Sequence, residues 1–189
     1  MSAPGARTAL LAGATGLVGS HVLEELLADD TWSHVVTVGR RTTERRHEKL
    51  EQRIVDLSAV EAHGDLPPAD DVFCCLGTTI RQAGSQGAFR RVDHDFVLGL
   101  ARAGVRVGAT QFLLVSAIGA DPDSRVFYSR VKGEVETAVR ALPYRAVQIF
   151  RPGLLLGHRT EFRLGERIAM YLAPIAQPLV MGPLRRYRS

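Results

Sequence analysis

Thr8-Ala9-Leu10-Leu11-Ala12-Gly13-Ala14-Thr15-Gly16-Leu17-Val18-Gly19 is the stretch on which the fold turns. Its first five residues form an apolar run of strand length, suited to burial on both faces. Gly13, Gly16 and Gly19 then stand at the spacing G-x-x-G-x-x-G. A helical stripe of Val18, Val22, Leu23, Leu26 and Leu27 continues to Ala28. Strand, glycine loop and helix in this order are the fingerprint of a dinucleotide site. Gly13 permits the tight turn, Gly16 lets backbone approach a pyrophosphate, and Gly19 lets the helix pack against the sheet. The helix N-terminus offers free N–H groups and a partial positive charge to phosphate. Gly13, Thr15, Gly16, Leu17 and Val18 are the cofactor contacts expected here.

Working outward, apolar runs alternate with helical patterns. Val35 to Val38 reads as a second strand ending at Gly39, followed by arginine-rich, helix-compatible sequence. Arg53 to Leu57 reads as a third strand and Val72 to Leu76 as a fourth, stopped by Gly77. A helix over Phe89 to Ala103 carries Val92, Phe96, Val97 and Leu100 in register. Phe112 to Val115 is a fifth strand, Val126 to Ala141 a helix, and Ala146 to Phe150 a sixth strand closed by Pro152-Gly153. Continuous apolar strands between helices predict an α/β protein, a Rossmann-like doubly wound parallel sheet with helices on both faces. Its ligand crevice lies at the carboxyl ends of the strands. Residues 1–157 read as the NAD(P)-binding domain. Residues 158–189 read as a short appended segment of that domain on the substrate side.

Bulk properties narrow the function. The chain has 189 residues, 46% hydrophobic and 23% charged, which suits one soluble globular domain. A net charge of +4 suits anionic ligands such as nucleotides. Aromatic residues are only 6%, too few for a stacking surface, so no nucleic acid is expected. The adjacent Cys74 and Cys75 read as small core residues, and the scattered histidines lack metal-ligand spacing, so no metal is expected. No apolar stretch reaches membrane-spanning length. The N-terminus lacks a signal-peptide core, which sets the expectation of a cytoplasmic protein.

An acidic residue after the second strand would hold the ribose hydroxyls of NAD; this chain has Gly39-Arg40-Arg41 instead. Two cations suit a 2′-phosphate and favour NADP over NAD. Asp56 and Leu57, ending the third strand, either flank adenine or cap the following turn.

Lysine is scarce here, yet Lys132 stands four residues after Tyr128, which puts both side chains on one helical face. Carbonyl reduction needs a proton donor on oxygen while hydride reaches carbon. An ammonium one turn from a tyrosine favours the phenolate and eases that transfer. The same lysine can hydrogen-bond the nicotinamide ribose. Ser116, ending the fifth strand, is the candidate to polarise the carbonyl.

These stretches resemble the short-chain dehydrogenase/reductase superfamily. More narrowly they resemble its atypical, Tat-interacting-protein-like oxidoreductase branch. Leu11 to Gly16, Val38 to Arg41, Phe73 to Thr79, Ser116 to Asp121, Val131 to Glu136 and Phe150 to Gly153 carry the likeness. The resemblance implies NADP binding, with Tyr128 as proton donor or acceptor and Lys132 as its helper. It also implies Leu76, Gly77 and Thr78 beside the cofactor, and Leu154 and Leu155 lining the nicotinamide. Many members use an asparagine in the helix before the fifth strand; this chain has none, and Asp93 sits near that place.

The reading is an NADP-dependent oxidoreductase acting on a small carbonyl or alcohol, with a homodimer suggested by analogy alone. A dinucleotide-sensing protein with little catalysis, and epimerase or dehydratase chemistry with bound cofactor, are the alternatives.

Overall fold

A computed structural model of the chain describes residues 7–63 and 66–153. The first strand, β1 (Arg7–Ala12), alternates its side chains between two cores. Leu10 and Ala12 join one cluster, with Val97 and Leu100 of α5 (Phe96–Arg106) and Val135 and Val139 of α6 (Phe127–Arg140). Ala9 and Leu11 join the other, with Leu23, Leu26 and Leu27 of α1 (Leu17–Ala28). Burial on both faces is what the unbroken apolar run required.

Six parallel strands run in the order β3-β2-β1-β4-β5-β6. They are β1, β2 (Trp32–Gly39), β3 (Leu50–Ile54), β4 (Asp71–Cys74), β5 (Gln111–Val115) and β6 (Ala146–Phe150). This is the doubly wound order of dinucleotide-binding folds, with helices on both faces as expected. Because all strands are parallel, every carboxyl end lies on one edge. Cys75 N donates to Ala12 O at 2.8 Å, so the chain leaves β1 and β4 side by side.

The strand boundaries differ most at the polar ends. β2 begins at Trp32, three residues before the apolar run. The Trp32 indole N–H bonds Asp71 Oδ2 at 2.8 Å, and its ring meets Phe73 edge-on at 5.5 Å. β3 spans Leu50–Ile54, not Arg53 to Leu57, because an edge strand tolerates Glu51, Gln52 and Arg53. Asp56 and Leu57 therefore lie beyond it. The arginine-rich segment after β2 is not helical. The Gln52 side chain accepts the Thr43 N–H at 2.7 Å and donates to Arg45 O at 3.0 Å, pinning an irregular loop. Three short helices, α2 (Val60–His63), α3 (Ile80–Ala83) and α4 (Gln86–Arg90), were not foreseen as separate elements.

The helix predicted over Phe89 to Ala103 is interrupted. A π-helical turn, Arg91–Asp95, joins α4 to α5. Phe89, Asp93, Val97 and Ala101, spaced by four, are all fully buried. In an uninterrupted α-helix that spacing drifts by about 40° per step. The wider π turn reverses part of the drift and keeps the four in line. The inward residue at this level is thus Asp93, while Val92 and Phe96 are only partly buried.

At the far edge, Arg151 follows β6 and grips Glu136 of α6 with Nε–Oε1 at 3.0 Å and Nη2–Oε2 at 2.5 Å. The carboxylate raises the guanidinium pKa through this hydrogen bond. The Glu136 side chain is 3% exposed and that of Arg151 47%. Removing the arginine strands a buried carboxylate, whereas neutralising the glutamate leaves an arginine in water. Arg151→Ala is expected to destabilise the fold more than Glu136→Gln. Urea unfolding of both variants checks that order.

Candidate functional site

The glycine loop is built by close approach. Gly13 has φ +90°, a left-handed conformation, and a Cβ there would lie 2.5 Å from Cys75 O. A Cβ on Gly19 would lie 2.0 Å from Gly13 O. Gly16 N donates to Gly13 O at 3.0 Å and Gly16 caps α1 with no side-chain hydrogen bond. The first N–H groups of α1 are thus left for another acceptor, with no acidic residue in that turn. Thr15 and Gly16 are exposed, and Leu17 and Val18 partly so. These features fit a pyrophosphate.

Arg40 and Arg41 are both exposed beyond the end of β2, and neither pairs with an acidic residue among the described residues. Val55 N donates to Gly39 O at 2.9 Å, so Arg40 and Asp56 leave neighbouring strands together. Asp56 caps its own turn. Its Oδ1 accepts from Ser58 Oγ at 2.7 Å and Ser58 N at 2.9 Å, which lowers the carboxyl pKa. Leu57 is buried and lines a cavity of about 420 Å³ with Arg91, Phe96 and Gly99.

At the carboxyl end of β4, Leu76 is partly buried and its N lies 3.0 Å from the Cβ position of Gly13. Thr78 N donates to Asp93 Oδ2 at 2.9 Å. Asp93 Oδ1 lies 2.8 Å from Lys132 Nζ. A Cβ on Gly77 would come within 3.4 Å of Asp93 Oδ1 and 3.8 Å of Lys132 Nζ. Gly77, Thr78 and Lys132 therefore meet around Asp93, which the sequence reading placed near the family's asparagine without giving it a partner. Its sign in the sequence was a carboxylate in phase with Phe89 and Val97.

Tyr128 is the second residue of α6, one turn before Lys132, with its ring 5.3 Å from that of Phe89. Helix α6 approaches the preceding loop closely, since a Cβ on Gly133 would lie 2.1 Å from Pro122 N. Ser116 directly follows β5, 7% exposed, with its backbone N bonded to Phe150 O at 2.8 Å. Its Oγ has no hydrogen-bond partner among the described residues. A buried hydroxyl without a partner is costly; one facing a ligand crevice has a reason to be kept.

Burial pushes the Cys74 and Cys75 thiols up to about 12, so both stay protonated and packed. Among the described residues no helix is long and apolar enough to cross a membrane, and no three His, Cys, Asp or Glu are placed to hold a metal. Leu154 and Leu155, and the segment 158–189, lie outside the described residues.

Residues 13–152 match the family described as NAD(P)H-binding. Protein HTATIP2 of Rattus norvegicus is 40% identical over 167 residues, covering 86% of this chain and 69% of that protein. The chain belongs to the NAD(P)H-binding family, in the atypical short-chain dehydrogenase/reductase branch. A second relative in this family, protein fmp52, mitochondrial, of Emericella nidulans, is 34% identical, covering 86% and 73%. The enzyme WbmH of Bordetella bronchiseptica, solved with NAD+, shares the fold with a TM-score of 0.67 at 16% identity, covering 91% of this chain. The chain spans 63% of that structure's length and 53% of another's, MoeE5 with UDP-glucose and NAD.

The family places an NAD(P)-binding domain of oxidoreductase-like fold here. The expectation of a cytoplasmic protein is corrected by the fmp52 relatives, which carry mitochondrial in their names. Lack of a secretory core speaks only to secretion. Compartment is an address read by receptors, not a property of the fold.

Proposed function

We propose that this protein is an NADP-dependent oxidoreductase that moves hydride to or from a small carbonyl or alcohol. The observation that carries the reading is the convergence of Gly77, Thr78 and Lys132 beside the glycine loop, with Tyr128 one turn before Lys132. Bound NADPH would supply the hydride. Gly13, Thr15, Gly16, Leu17 and Val18 hold the pyrophosphate through backbone N–H groups. Leu76, Gly77 and Thr78 border the cofactor where β4 ends. Tyr128 gives its hydroxyl proton to the carbonyl oxygen, or takes one from an alcohol. Lys132 is its helper one turn on and holds ribose hydroxyls. The buried Ser116 Oγ donates to the same carbonyl oxygen and gains the partner it lacks. The mitochondrial names of its relatives favour that compartment.

The preference for NADP rests on Arg40 and Arg41, whose guanidinium forks suit the oxygens of a 2′-phosphate. Replacing both by Ala is expected to weaken NADPH binding by about tenfold per lost charge-assisted contact. NADH binding should change little. Fluorescence titration with the two cofactors side by side tests this; equal losses for both would remove the NADP assignment. The enzyme reading itself is tested by NADPH consumption across a panel of aldehydes and ketones. Binding without consumption would leave a sensor.

A further inference from the structure

A dry carboxylate stands where the proposed site needs a fixed lysine. Asp93 is 0% exposed and Lys132 4%. One oxygen of Asp93 holds the Lys132 ammonium at 2.8 Å and the other takes the Thr78 N–H at 2.9 Å. A single side chain thereby ties α6 to the turn after β4. Gly77 lies directly against the pair, since a methyl there would be in van der Waals contact with both charged atoms. A buried ion pair is a poor way to gain stability, because apolar residues of similar volume serve the fold as well. Its place beside the turn after β4 points to a task in the site.

We propose that Asp93 is a positioning residue that fixes the Lys132 ammonium and the Gly77–Thr78 backbone as one unit on the cofactor side. The inference rests on the reading of Lys132 as the ribose-holding lysine. A lysine on its four-carbon stem samples many rotamers, and the carboxylate selects one before the ribose arrives. The carboxylate also cancels the buried ammonium charge, which an amide at this place would not do. The π-helical turn aims Asp93 at this point, in line with Phe89 and Val97.

The test is a double-mutant cycle on the full chain. NADPH titration and thermal melting are measured for wild type, Asp93→Asn, Lys132→Met and the double variant. Asparagine keeps an oxygen for the Thr78 N–H, so the cycle isolates the charge on Lys132. Asp93→Asn and Lys132→Met are each expected to weaken NADPH binding about tenfold. The double variant should bind no worse than Lys132→Met alone, because Asp93 acts through the lysine. A merely structural Asp93 would shift melting and leave the NADPH affinity of the folded protein unchanged. That result, beside a weakened Lys132→Met, overturns the inference and leaves the reading of Lys132 intact. Additive losses overturn it too. Unchanged affinity in Lys132→Met overturns both. If a single variant fails to fold, Asp93→Glu keeps both charges and displaces the ammonium by one methylene; weaker NADPH binding is then expected, and wild-type affinity overturns the inference.

Discussion

Tyr128→Phe is expected to lower turnover by at least about a hundredfold, with NADPH affinity close to that of wild type. The substitution removes one oxygen and keeps the ring. The contact with Phe89 at 5.3 Å, and with it the start of α6, survives. Cofactor binding rests on the glycine loop and on Lys132, which the change leaves in place. The measurement is steady-state NADPH oxidation with the carbonyl substrate found by screening, beside a fluorescence titration of the cofactor. Turnover at the wild-type rate would show that the proton comes from another group. Ser116 would then be the next candidate.

The second large effect belongs to Gly19. A Cβ there would stand 2.0 Å from Gly13 O, 2.7 Å from Gly13 C and 3.1 Å from Ala14 N. All three are backbone atoms, which no side-chain rotation can move aside. Gly19→Ala must push α1 off the loop that it anchors. Loss of NADPH binding by more than about a hundredfold is expected, with melting lowered by several degrees, roughly as a 1–2 kcal/mol change would give. Gly87 of α4 has nothing within 4 Å of its Cβ position. Gly87→Ala is the matched control and should hold or slightly raise stability through helix propensity. Equal behaviour of the two variants would rule out close packing as the reason for Gly19.

Much of the fold is legible in the sequence. The runs at Thr8 to Ala12 and Ala146 to Phe150 are strands with nearly the bounds that hydrophobicity drew, because burial on both faces leaves little ambiguity. Helix α1 runs over Leu17–Ala28 as its stripe foretold. Where the sheet edge meets water, the pattern misled. β3 hides in Leu50–Ile54 among polar residues, and a side-chain amide holds the loop before it. The site divided the same way. The glycines, Tyr128 and Lys132 could be proposed from spacing and their order along the chain. The partner of Lys132 was not, since a pair 39 positions apart in sequence is brought together only by the crossing of two helices. The stripe that named Val92 assumed one uniform helical pitch; the π turn broke that assumption and put Asp93 inside.

That turn makes the chain's length part of its chemistry. The segment from Gln86 to Arg106 works as a gear with one tooth out of step. Its first part sets Phe89 against Tyr128, and its last part seats Val97 and Leu100 in the sheet core. Deleting a single residue between Arg91 and Asp95 would heal the helix into regular pitch and satisfy its backbone more evenly. It would also rotate Phe89 and Asp93 about 100° away from α6. Gene-level changes that preserve every side chain named here could still erase the site. Counting residues across this interval therefore says as much about function as reading their identities.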